Sequence, residues 1–180
     1  AALSFQLDKQ QTVSLSYGIF HQQPTEEVQK FQPDLPWQKA NHLILQYSYA
    51  AVGKQLRLEL FHKSYAQLVR FERANPNIAQ AYTTDGNGSV NGLDVFWRDN
   101  RSIRNLQYWI SYSYIDSERQ YKNFPTMATP SFIANHSLSV VTKYFITDWK
   151  SQVGFTNSFS SGRPYNDPNQ TQFMNGKTKS

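Results

Sequence analysis

The chain has 180 residues, of which 39% are hydrophobic, 15% are aromatic and 17% are charged. This balance excludes a disordered segment and a protein that crosses a membrane with helices. The net charge of +5 comes from scattered side chains and there is no cysteine, so we expect no nucleic-acid partner and no disulfide framework, zinc–thiolate site or thiol catalysis.

Apolar and polar residues alternate along most of the chain, a pattern typical of strands with one apolar and one polar face. In chain order, the alternation predicts strands near residues 3–8, 11–20, 41–50, 54–65, 89–98, 105–117, 134–146 and 149–160. Several are longer than the ~5–6 residues usual in soluble proteins and match the ~9–11 residues of a tilted strand that crosses a bilayer. The predicted fold class is all-β, an antiparallel up-and-down meander of about eight long strands that is part of a transmembrane β-barrel.

The connections between these strands alternate between short and long. The short ones lie near residues 8–10, 51–54, 99–104 and 147–148, and the long ones at 20–40, 66–88, 119–132 and from 161 onward. A transmembrane barrel has short periplasmic turns and longer outer loops. We therefore expect one partial transmembrane barrel domain over residues 1–180, with no second domain.

Charged residues fall on the polar side of the alternation. We expect Arg57, Glu59, Asp94 and Arg98 to face the lumen, because Arg or Lys on the lipid side costs ~2–4 kcal/mol at the midplane. A few large apolar residues interrupt this polar side, namely Ile44, Phe61, Phe96, Trp109 and Phe145.

Aromatic residues sort by height if the short turns are periplasmic. One group falls near the periplasmic rim: Tyr47, Tyr49, Trp97, Tyr108, Tyr144 and Trp149. The other falls toward the outer rim: Tyr17, Tyr112, Tyr114 and Phe159. Two aromatic belts are typical of membrane barrels; the alternative is that these are ordinary strand residues.

Several stretches stand in a characteristic order along the chain. They are KANH at 39–42, GLDVFWR at 92–98, IRNLQYWISYSY at 103–114, ANHSLSVV at 134–141 and FSSGRPY at 159–165. Together they resemble barrel strands of TonB-dependent outer-membrane receptors. The resemblance implies a 22-stranded barrel with an N-terminal plug. It also implies import of a scarce nutrient, such as an iron chelate, cobalamin or a glycan, with energy delivered by TonB.

Three features predict a late segment of such a barrel. They are the eight strands, the lack of a visible plug or TonB box, and an ending in NGKTKS at 175–180. We expect this segment in the outer membrane of a Gram-negative bacterium. Its expected partners are outer-membrane lipid, the remainder of the same barrel and its plug, the TonB complex through parts outside this chain, and a small-molecule or glycan substrate.

Patterns of catalytic or metal-binding residues are missing from the sequence. The four histidines His21, His42, His62 and His136 have no ligand spacing, and the glycines at 86–92 suit turn residues that lead into a strand. The acidic pairs at 26–27 and 116–118 suit solvated strand ends. We predict no enzyme, no catalytic residues, no metal and no cofactor, and the ligand-binding residues are not assigned.

Two other readings of the pattern are open. The chain could be a complete small eight-stranded outer-membrane barrel that acts in adhesion or envelope stability. It could also be a soluble β-barrel or sandwich that binds a small ligand or sugar.

Overall fold

The computed structural model describes residues 1–71, 82–122, 124 and 126–164. Within these ranges, eight antiparallel strands pair in sequence order in one sheet. They are β1 (Ala2–Gln6), β2 (Gln11–Gln22), β3 (Gln38–Ala51), β4 (Lys54–Phe71), β5 (Tyr82–Asp99), β6 (Leu106–Gln120), β7 (His136–Ile146) and β8 (Ser151–Ser160). The predicted antiparallel meander of eight strands is confirmed.

Two rows of paired residues run across all eight strands and display the two faces. One row is polar: Ser4, Ser14, Gln46, Glu59, Asp94, Ser113, Ser137 and Ser160. The neighbouring row is apolar: Phe5, Val13, Tyr47, Leu58, Val95, Tyr112, Leu138 and Phe159. Because successive side chains of a strand point to opposite sides, the sheet has a polar face and an apolar face, and we use these two names below.

The apolar face has little cover from the chain itself. Leu3 is 72% exposed and Phe155 63% exposed, and among the described residues only Leu68 and Val90 are buried hydrophobic side chains. A soluble sandwich covers such a face with a second sheet, but the described ranges form one layer, in which β1 and β8 are the edge strands. In the same ranges, no helix is both long and apolar enough to cross a membrane.

Tight turns join the strands at one end of the sheet, which we call the short-turn rim (residues 7–10, 52–53, 100–105 and 147–150). Gly53 has a φ of +75° in the two-residue turn between β3 and β4, a conformation that glycine adopts without steric cost. Asn105 and Lys150 also have positive φ values in their turns. These residues reverse the chain over a short distance, as the sequence predicted.

The fourth and fifth strands are longer than predicted. β4 continues to Phe71 instead of ending near residue 65, and β5 begins at Tyr82 instead of residue 89. Alternation fails there because the register shifts twice between Ala66 and Arg70, and Gln67 has a φ of 58°. The predicted 66–88 loop was therefore wrong at both ends, while residues 72–81 lie outside the described residues.

The glycines at 86–92 were also misassigned, since they lie within β5 and not in a turn. A Cβ at Gly86 would lie 2.6 Å from the carbonyl oxygens of Leu68 and Gln120. Glycine is therefore required by the close approach of two neighbouring strands.

Six other strand ends differ from prediction by two or three residues, and the remaining eight agree to within one residue. β1 ends at Gln6, β2 ends at Gln22, β3 begins at Gln38, β6 ends at Gln120, and β7 and β8 begin at His136 and Ser151. A short helix, α1 (Glu26–Phe31), lies in the predicted 20–40 loop and was not predicted.

Candidate functional site

The four charged residues predicted to face the lumen share the polar face on β4 and β5. Glu59 is directly opposite Asp94, Arg57 is opposite Phe96, and Arg98 is opposite Gln55. The Asp94 carboxylate accepts a hydrogen bond from the Ser113 hydroxyl on β6. Their position toward a lumen stays a prediction.

Aromatic rings on the polar face are paired with cations. The Arg57 guanidinium lies 5.9 Å from the centroid of Phe96, Lys63 Nζ lies 4.9 Å from that of Phe61, and Lys143 Nζ lies 5.3 Å from that of Trp109. A cation over a ring face is attracted by the ring quadrupole. Three of the apolar residues that interrupt the polar side of the alternation therefore have charged neighbours that suit a wet surface.

One of these rings also packs over a glycine. A Cβ at Gly92 on β5 would overlap the ring of Phe61, which lies on the neighbouring β4. Glycine leaves the surface open for the ring, and the ring covers backbone that would otherwise be exposed. This cross-strand contact places the Phe61 ring over Gly92 on the polar face.

The aromatic-belt candidates on the strands share the apolar face by register, and Trp149 lies in a turn of the short-turn rim, 75% exposed. The Tyr47 hydroxyl donates to Gln11 Oε1 at 2.8 Å, and Trp97 Nε1 donates to the Tyr108 hydroxyl at 3.4 Å. These polar tips therefore have partners near the rim while the rings lie on an apolar surface.

The pairing is staggered from hairpin to hairpin. In the apolar row, Val13 lies two residues from the short-turn end of its strand, Tyr47 four, Tyr112 six and Phe159 eight. Such a stagger is the shear that tilts strands in a barrel. Residues of one hydrogen-bonded row therefore lie at different distances from the short-turn rim. Tyr47 lies nearer to the rim than Tyr112 and Phe159, which is the order that the two predicted belts require. The belts themselves stay a prediction.

The connection between β6 and β7 folds over the polar face at the end opposite the short-turn rim. Arg119 and Ala128 exchange backbone hydrogen bonds of 2.9 and 3.1 Å. The Arg119 guanidinium lies 4.3 Å from the Tyr65 ring centroid and 5.9 Å from that of Phe132. Ser117 and Pro130 are fully buried beneath and within this segment. No local sequence pattern predicts this arrangement, because it joins residues on three separate elements.

A second contact at this end joins the extensions of β4 and β5. Arg70 Nη1 lies 2.8 Å from Asp85 Oδ2. A hydrogen bond from the Thr83 hydroxyl, together with the Arg70 charge, lowers the pKa of the Asp85 carboxyl. The tyrosine that begins β5, Tyr82, contacts Phe71 edge-on at a centroid distance of 6.0 Å. These contacts explain why the hairpin continues past its bulges.

At the short-turn rim, Asp99 organises the turn between β5 and β6. Its Oδ1 accepts hydrogen bonds from the backbone amides of Arg101 and Ser102 at 2.8 and 2.9 Å, an Asx turn. Lys54 Nζ lies 3.9 Å from Asp99 Oδ2. The Ser102 hydroxyl first, then these two amides and Lys54, lower the pKa of Asp99 to about 2.

In the part of the chain that the structure describes, no three histidine or acidic side chains cluster as metal ligands. His136 instead shares a hydrogen bond with the Tyr112 hydroxyl at 2.9 Å, and His62 shares one with Asn91 at 2.7 Å. The arrangement provides an amphipathic wall with cation–aromatic pairs on its polar face.

The search of known proteins returned matches to solved structures alone. No family model and no curated protein sequence matches the chain. The ferric-catecholate import receptor Fiu of Escherichia coli matches with a TM-score of 0.62 and 16% identity over 82% of this chain and 22% of that one.

Two further solved structures match over a similar extent. The alcaligin outer-membrane receptor FauA of Bordetella pertussis has a TM-score of 0.66 and 16% identity over 89% of this chain and 28% of that one. FpvAI, in a complex with pyocin S2, has a TM-score of 0.63 and 11% identity over 88% of this chain and 25% of that one. The chain therefore spans about a quarter of the length of these proteins and has the fold of part of their barrels.

Proposed function

We propose that this chain is a barrel segment of a TonB-dependent receptor in the outer membrane of a Gram-negative bacterium. The observation that carries the proposal is the staggered, eight-stranded antiparallel sheet with an uncovered apolar face, together with its likeness to barrel segments of two import or outer-membrane receptors. A barrel in lipid needs an apolar outer surface and a closed hydrogen-bond ladder, and the edges of β1 and β8 are where further strands of the same barrel would pair.

The segment acts in transport as a wall. Leu58, Val95 and their row on the apolar face contact lipid, while Arg57, Glu59, Asp94 and Arg98 line the water-filled interior. The connections opposite the short-turn rim contribute to substrate capture outside the cell. The plug and the contact with TonB belong to other parts of the protein.

The substrate class we propose is an iron chelate. Two of the similar structures are described as receptors for a ferric catecholate and for alcaligin. Cobalamin and glycans are the other nutrients that the sequence resemblance allows.

The test uses the full-length protein that contains this chain, expressed in a Gram-negative host with and without a functional TonB. We expect outer-membrane fractionation, heat-modifiable gel migration, and uptake of radiolabelled iron chelate that requires TonB. A soluble protein that needs no detergent would refute the barrel, whereas a membrane barrel with TonB-independent behaviour would support the small eight-stranded alternative.

A further inference from the structure

A groove of about 420 Å³ opens at the short-turn rim, where three turns meet. Gln10 comes from the turn between β1 and β2, Tyr49, Val52 and Lys54 surround the turn between β3 and β4, and Arg101 and Ser102 lie in the turn between β5 and β6. Three separate connections thus form one concave surface, with a volume in the range of small-molecule sites.

The register assigns this groove to the apolar side of the sheet. Tyr49 is opposite Leu56, and Lys54 is opposite both Ala51 and Asp99, in phase with the apolar face. Val52 at the lip of the groove is 77% exposed. An exposed valine and a tyrosine beside charged groups form the mixed surface that suits the boundary between acyl chains and water.

The charge of the groove is positive. Asp99 is its nearby acid, but the side chain is only 3% exposed, and its Oδ1 is occupied by the amides of Arg101 and Ser102. Lys54 lies 3.9 Å from the other carboxylate oxygen. Within the described ranges no carboxylate lies at ion-pair distance from the exposed Arg101 side chain, so its guanidinium is available to an external anion.

Other charges at the same rim do not cancel this one. The four short turns carry four cations, Lys9, Arg101, Arg104 and Lys150, against two acids, Asp8 and Asp148. Asp8 already accepts hydrogen bonds from the Gln10 amide and the Gln11 side chain at 2.7 and 2.6 Å.

We propose that this groove binds the phosphate of an anionic phospholipid headgroup from the leaflet that faces the short turns. Lys54 and Arg101 donate the charge-assisted hydrogen bonds that phosphate oxygens accept, and the Tyr49 hydroxyl is a further donor beside them. The acyl chains continue along the apolar face past Tyr49 and Leu56. The inference rests on the proposed barrel function, because it needs lipid on this face.

The experiment compares lipid retention by the full-length barrel protein in nanodiscs and by two variants, using native mass spectrometry. The test variant is Lys54→Gln with Arg101→Gln, and the matched control is Lys150→Gln, which removes a cation from the same rim outside the groove. The probes are dioleoylphosphatidylglycerol, dioleoylphosphatidylcholine and inorganic phosphate.

We expect the double variant to lose phosphatidylglycerol binding roughly fivefold for each cation removed, with a smaller loss for phosphatidylcholine, whose phosphate charge is balanced by choline, and with the control like wild type. Equal loss in the Lys150→Gln control, or unchanged binding in the double variant, would overturn the site. Displacement of the lipid by millimolar inorganic phosphate would assign the groove to a free anion. Insertion and heat-modifiable migration of the wild-type protein are measured first, because a wild-type protein that does not insert would contradict the proposed function itself.

Discussion

An arginine introduced on the apolar face separates a membrane barrel from a soluble sheet. Leu58 lies four residues from the start of β4 and Glu59 is the next residue on the polar face. Four residues extend about 13 Å along the strand, which is about 10 Å in height at a tilt near 40°. Leu58 is therefore close to the middle of an apolar band about 25 Å tall.

Leu58→Arg should destabilise the inserted barrel by about 2–4 kcal/mol, the cost of Arg near the midplane, which is about 30- to 700-fold in the folding equilibrium. Glu59→Arg should be tolerated, because the new side chain lies opposite Asp94 and replaces two directly opposed like charges with an opposite pair. The assay is urea-dependent folding into lipid vesicles, followed by heat-modifiable gel migration. Equal effects of the two substitutions would refute the assignment of the apolar face to lipid.

Three further predictions concern contacts between strands. Gly92→Ala should cost about 1–3 kcal/mol because the new methyl group overlaps Phe61; combination with Phe61→Ala should remove most of that cost in a double-mutant cycle of urea midpoints, and additive effects would contradict the contact. Asp99→Asn should lower stability above pH 4, and this difference should vanish as the pH falls through about 2, because the pKa of Asp99 is lowered in the folded protein; a pH-independent difference between the urea midpoints would be inconsistent with that pKa. Arg119→Ala should remove the contacts of the guanidinium with Tyr65 on β4 and with Phe132 in the β6–β7 connection, and should raise the rate of limited proteolysis at residues 126–135 about fivefold, from the loss of about 1 kcal/mol, whereas an unchanged rate would mean that these cation–π contacts do not hold the connection in place.

Much of this architecture follows from local alternation in the sequence. The two-residue period predicts which side chains share a face, and it correctly grouped Arg57, Glu59, Asp94 and Arg98 on the side opposite Leu58. Turn residues also predicted where the strands end, because a turn residue sets the backbone conformation only within a few residues of its own position. Face, strand count and the positions of the short turns were therefore predictable.

The extensions of β4 and β5 were not predictable, because the bulges near Gln67 break the two-residue period while pairing continues. The glycines at 86–92 resemble turn residues until the neighbouring strands are present. Their lack of a side chain is then explained by the close approach of backbone and, at Gly92, of a ring from β4.

The alternation that predicts the two faces is a property of one strand at a time. Register is a property of two strands, so the contact of Arg119 with Tyr65 and the joining of Lys54 and Arg101 in one groove depend on how far each hairpin slides against the next. The stagger of about two residues for each hairpin depends on the same pairing. The sequence alone determined an amphipathic antiparallel sheet, and only the tertiary structure decided which of its side chains meet.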